Sequence, residues 1–135
     1  YIFYTGAGVK TNPKKGIPMS IGVATIGLDR FAAMANWRGN QGRLICKPTA
    51  VTGSSLQINI ELLEAIPVQV ALSSADGTML DGYSFENCEI DYDPHRIYSP
   101  VRWKDKADLS ELRGQQVKLH FSVKGAALYS YRFTD

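Results

Sequence analysis

Strict alternation of apolar and polar residues dominates this chain. Leu56, Ile58 and Ile60 alternate with Gln57, Asn59 and Glu61, and Val68, Val70 and Leu72 with Gln69, Ala71 and Ser73. Val117, Leu119, Phe121 and Val123 alternate in the same way with Lys118, His120, Ser122 and Lys124. Successive side chains of a strand point to opposite sides, so a period of two lays one buried and one wet face along each segment. That is the pattern of antiparallel sheets packed on one face. Further strands are expected at 20–26, 31–35, 43–47, 100–103 and 128–133. Turn chemistry separates them at Arg38-Gly39-Asn40-Gln41-Gly42, Thr52-Gly53-Ser54, Asp76-Gly77 and Lys124-Gly125. One helical piece is expected at 108–112, with Asp108 as its cap, Glu111 three residues later and Gly114 as its stop. Many short strands with almost no helix predict an all-β chain, a jelly-roll-like β-sandwich of two antiparallel sheets.

The 135 residues suffice for one such domain, with 44% hydrophobic and 21% charged residues, in the globular range. A net charge of +2 with scattered basic residues argues against nucleic acid and anionic membranes. No apolar run approaches the ~20 residues of a membrane-spanning helix. Between 5 and 19 the texture changes to Gly, Asn, Pro and Lys, which reads as a long connection. The division expected is a remnant strand and linker over 1–19 and a sandwich over 20–135. Tyr1-Ile2-Phe3-Tyr4 already reads as a strand, so the chain is expected to be a piece of a longer one.

Catalytic signatures are missing from the sequence: no glycine-rich phosphate loop, no Gly-x-Ser-x-Gly elbow and no His-Glu-x-x-His. His95 and His120 are not at metal spacing from each other, and His120, on the polar side of its strand, reads as a solvated surface residue. Cys46 and Cys88 read first as two small buried hydrophobes, with one disulfide of a secreted protein as the alternative. Glu89, Asp91 and Asp93 share one side of an extended segment, a spacing that would suit a structural Ca²⁺ but also a solvated acidic loop. No cofactor is expected.

The second half carries a longer set of motifs. They are Asp76-Gly77 with Leu80, Gly82-Tyr83-Ser84-Phe85-Glu86-Asn87-Cys88, then Ile90, Asp93 and Val101-Arg102-Trp103. Leu109-Ser110-Glu111-Leu112-Arg113-Gly114, Val117-Lys118-Leu119-His120-Phe121 and Leu128-Tyr129-Ser130-Tyr131-Arg132-Phe133 complete it. Together these resemble the C-terminal sandwich of bacterial proteins similar to glycoside hydrolase family 32, which carry it after a five-bladed propeller. Tyr1-Ile2-Phe3-Tyr4-Thr5-Gly6 resembles the last strand of such a propeller, and Ile21-Gly22-Val23-Ala24-Thr25 with Asp29-Arg30-Phe31 resembles the passage into the sandwich. The resemblance implies a secreted protein, extracellular or periplasmic, whose catalytic carboxylates lie on upstream blades. It implies no catalysis by this portion, and two roles for it: a carbohydrate-binding module, or a structural accessory that packs on the upstream catalytic propeller.

Binding of a polysaccharide or oligosaccharide needs aromatic rings for the apolar faces of the sugars and polar groups for their hydroxyls. Trp37, Arg38 and Asn40 offer that mixture at a loop tip, and Trp37 reads otherwise as a packing residue. Tyr92, Asp93, His95 and Arg96 offer it in the segment 91–98, which reads otherwise as an ordinary polar loop. A third candidate is the polar face of Gln57, Asn59, Gln69, Ser73, Lys118, His120 and Ser122. Trp103 shares parity with Val101 and is assigned to the core.

Overall fold

The computed structural model describes residues 1–7, 19–36, 40–64, 68–104, 106 and 108–135. The alternating segments are strands. β6 (Ser55–Leu62), β7 (Gln69–Ser74) and β10 (Gln116–Val123) carry the three clearest repeats. β11 (Ala126–Thr134) closes the chain. Shorter strands are β3 (Met34–Asn36), β4 (Gly42–Ile45), β5 (Thr49–Ala50), β8 (Cys88–Ile90) and β9 (Ser99–Trp103). All pairing is antiparallel. One sheet runs β3-β11-β6-β9-β8; in the other, β10 is central, with β4 and β5 following each other along one edge and β7 along the opposite edge. Two sheets share one core, so the chain is an all-β sandwich. Among the described residues no helix is long and apolar enough to cross a membrane.

The core is supplied by both sheets. Val117, Leu119, Phe121 and Val123 of β10 and Val70 and Leu72 of β7 meet Leu56, Ile58 and Ile60 of β6, Val101 and Trp103 of β9, and Ala126 and Leu128 of β11. Along β11 the alternation breaks. Leu128 stands opposite Ile60 and Tyr131 opposite Ile58, so two residues separate inward positions where one would be regular. This β-bulge releases Tyr129 from the ladder and returns Tyr131 and Phe133 to the core side.

The outer edge of β7 is closed by groups from elsewhere. The Trp103 indole N–H donates to the Val70 carbonyl at 3.0 Å, and the Val70 N–H donates to Cys88 Sγ at 3.1 Å. Further on, Leu72 N–H donates to the Tyr83 carbonyl and Leu72 C=O accepts from Leu80 N–H, each at 3.0 Å. Tyr83 in turn packs edge-on against Trp103, centroids 5.2 Å apart. Both cysteines are free thiols. Burial pushes the Cys88 thiol up to about 11, so it stays protonated as a packing group.

The expected helix at 108–112 is instead a single 3-10 turn, Ser110–Leu112. Leu109 and Leu112 both enter the core, and a 3-10 turn, unlike an α-helix, stacks residues three apart. The residue at its N-cap is Leu109, not the expected Asp108; Asp108, one residue earlier, accepts from Ser110 N–H at 2.9 Å, and Glu111 does not reach back. Its carboxylate accepts from the Tyr83 hydroxyl at 2.9 Å and from Lys106 at 2.5 Å. Gly114, at φ +80°, ends the turn.

Residues 20–24 lie outside the sandwich sheets. β1 (Ile2–Ala7) and β2 (Met19–Ala24) pair with each other as a separate two-stranded ribbon, so the expected boundary between 19 and 20 falls inside β2.

Gly53, at the crossing from β5 to β6, has no room for a side chain. A Cβ there would stand 2.5 Å from the carbonyl oxygen of Thr134 and 2.7 Å from its nitrogen. Gly53→Ala must therefore displace the end of β11, and a loss of ~1–3 kcal/mol is expected in urea unfolding. An unchanged midpoint would show that this crossing yields freely.

Candidate functional site

The segment 91–98 folds back on itself. Arg96 bridges Asp91 at 3.0 Å and Asp93 at 3.3 Å, and Asp93 also accepts from the His95 N–H at 2.8 Å. The two aspartates that would serve a Ca²⁺ thus face a guanidinium, while Glu89 stands opposite Arg102 in the β8–β9 ladder. Among the described residues no group of three or more His, Cys, Asp and Glu side chains is placed to hold a metal. Tyr92 is half-buried against the core beside Ile90, so its ring serves packing. His95 is exposed. Of these four candidates, Asp93, His95 and Arg96 come together and Tyr92 turns away from them.

The loop-tip candidates separate differently. Trp37 and Arg38 lie outside the described residues. Asn40 is exposed, and its carbonyl accepts from the Asn36 side chain.

The third candidate, a single polar face, is divided between the outer sides of the two sheets. On one, Gln57 accepts two hydrogen bonds from Arg132, whose guanidinium lies 3.9 Å from the centre of the Tyr98 ring. Asn59 is wholly buried there beneath residues 28–30. On the other, Gln69 reaches the Phe85 carbonyl, and Gln41 donates to Ser122. His120 meets the buried Ser73 hydroxyl at 2.8 Å. It is therefore half-buried and partnered, where a solvated histidine was expected. Burial, and then the charges of Lys118 and Arg43, hold its pKa below the ordinary histidine value.

Two features escape the candidate residues named from sequence. The first is a cavity of about 210 Å³ at the place where β6 and β9 part, bordered by Ser54, Ser55, Gln57, Arg102, Trp103 and Asp108. The ladder between these strands runs only from Ile58↔Ser99 to Leu56↔Val101, and Leu109 N–H takes the Ser54 carbonyl at 2.7 Å. The second is the ribbon. Facing partners on one of its sides are Phe3 and Val23, and Thr5 and Ile21, with Met19 beyond. Phe3, Met19 and Ile21 are 75%, 75% and 81% exposed. On the other side, the Tyr4 ring lies across Gly22, where an added Cβ would stand 2.5 Å from the ring. Neither strand contains a charged residue. The apolar exposure continues through Ile26, Leu28, Phe31 and Met34, so eleven of the fifteen exposed large hydrophobic residues among those described lie at or before Met34. The uncharged strings 2–7 and 19–24 were a readable signal of this, since a soluble two-stranded ribbon ordinarily carries a polar face.

His120 generates a pH dependence. Its folded-state pKa is depressed, so its contribution to stability is present above the unfolded value of ~6.5 and is lost as pH falls through that value towards the folded one. The melting temperature is expected to fall between pH 7 and pH 5, and His120→Gln to flatten that interval. An identical slope in the variant would assign the pH dependence to other groups.

Comparison of the chain with family models, with curated proteins and with solved structures finds no match.

Proposed function

We propose that this sandwich is a non-catalytic accessory module that docks through its ribbon and the segment after it onto a neighbouring folded domain of the same parent chain. The concentration of exposed apolar side chains before residue 35 carries this reading. At ~200 Å² for a fully exposed large side chain, the eleven residues expose on the order of 1,000 Å², against the ~800 Å² per partner of a standard interface. An isolated two-stranded ribbon is marginal in water, and this one has neither charge nor proline in its strands to discourage pairing. The resemblance described above names the occupant: the upstream propeller, whose last blade the ribbon would complete.

Carbohydrate recognition is the second reading, and the cavity between β6 and β9 favours it. Its border mixes hydroxyl, amide, guanidinium and carboxylate groups, the donor and acceptor set that a neutral oligosaccharide or polysaccharide requires. Both readings place the protein in a secreted enzyme, extracellular or periplasmic.

In the parent chain, Phe3→Asp with Ile21→Asp is expected to lower the melting temperature of the upstream domain by several degrees. In the 135-residue chain the same pair should leave the sandwich's own melting temperature unchanged. An unaltered upstream domain rejects docking. For the second reading, retention on a polysaccharide affinity gel should fall with Arg102→Ala at constant melting temperature. Retention that survives Arg102→Ala but is lost in Trp37→Ala moves the sugar to Trp37, and no retention across a panel of polymers rejects carbohydrate binding.

A further inference from the structure

Three residues, Thr25 to Gly27, separate the ribbon from a short segment that is tied to the outer side of the β3-β11-β6-β9-β8 sheet. Arg30 Nε donates to Asn59 Oδ1 at 3.0 Å, and its Nη2 donates to the Ile60 carbonyl at 3.2 Å. Asn59 Nδ2 returns a bond to the Leu28 carbonyl at 3.0 Å. The bulge in β11 turns Tyr129 to the same place: the Arg30 guanidinium lies 5.1 Å from its ring centre, and its hydroxyl donates to Glu61 at 2.7 Å. Between them Asp29, in the left-handed region at φ +56°, accepts from the Tyr98 hydroxyl. An asparagine tolerates complete burial only with its amide satisfied, and here Arg30 and Leu28 supply both partners. Leu28 and Phe31, on either side of the tied residues, remain exposed.

We infer that Arg30 and Asn59 form a clasp that holds the ribbon in one orientation to the sandwich, so that the apolar surface is presented already arranged. Arg30 is a positioning residue in this sense, because it acts on the surface through the backbone of 28–30. A surface held this way loses less conformational entropy on docking than a hairpin on a loose tether. The use of that surface rests on the docking reading above; the clasp itself does not, since it operates within the single chain.

The test is ¹⁵N relaxation and residual dipolar couplings on the full 135-residue chain. With the clasp intact, amides of β1, β2 and the sandwich should fit one alignment tensor, and ribbon order parameters should approach the ~0.85 of rigid backbone. Arg30→Ala strips Asn59 Oδ1 of its donor and should lower the sandwich's melting temperature, yet leave a folded sandwich and the Phe3–Val23 cross-strand contacts in place, while ribbon order parameters, referred to the sandwich frame, drop below ~0.6. Should Arg30→Ala fail to fold, Tyr98→Phe removes the tie to Asp29, together with a 3.3 Å contact to Ser130 Oγ within the sandwich, and is expected to lower ribbon order by a smaller amount. A ribbon that tumbles separately in the unaltered chain, or that keeps its tensor in whichever of these variants folds, overturns the proposal. Because no partner is present, either outcome leaves the docking reading to its own experiment.

Discussion

A single backbone position, Val70, ties the two sheets together. Its N–H and C=O point away from β10, towards the edge of the sheet, where unpaired groups would be costly inside a core. Cys88 and Trp103, both from the other sheet, satisfy them. Trp103 can be buried only because its indole N–H has found this carbonyl. Tyr83 can lie against Trp103 because its hydroxyl has reached Glu111, and Glu111 is held by Lys106. The segment 79–83 then seals the rest of the β7 edge at Leu72. The segment between β7 and β8 is thus the covering of a sheet edge.

That sealed edge and the ribbon are opposite solutions in one chain. Along β7 every outward backbone group described has a partner drawn from the same domain. Along β1 and β2 the outer edges and one complete apolar side have none among the described strands. Natural sheets blunt such edges when they are to remain in water. The chain closes one edge with side chains from across the core and leaves the other bare, and the docking proposed above would supply the missing cover.

Most of the sandwich was legible because the buried faces obey a period of two, and β6, β7 and β10 lie where that period places them. What was not legible arises where something covers the other face. Asn59, Ser73 and Ser122 occupy polar positions and are all buried, Asn59 under Arg30 and Leu28 from a segment thirty residues upstream. Such coverage has no local signature. The bulge at Tyr129 likewise resembles ordinary alternation until the register against Ile60 and Ile58 is known. The 3-10 turn was hidden by a capping pattern whose glutamate serves Tyr83 instead. Among the candidate sugar-binding residues, the sequence does not reveal that Arg96 and the aspartates of 91–98 satisfy one another. Trp37 and Arg38 fall outside the described residues, so that pair remains where the sequence placed it.

The turn at Lys124–Gly125 passes the chain from the centre of one sheet to the middle of the other. β10 pairs with β4, β5 and β7, and β11 with β3 and β6, so the last twenty residues supply the strand on which each sheet is assembled. Before residues 116–134 are made, β3, β4, β5 and β7 have no ladder partner, while β6, β8 and β9 can pair only with one another. Neither sheet can be completed until β10 and β11 are available, and the sandwich belongs with slow folders dominated by non-local contacts. The uncharged ribbon is made before every strand of the sandwich, so its apolar side is bare throughout that interval.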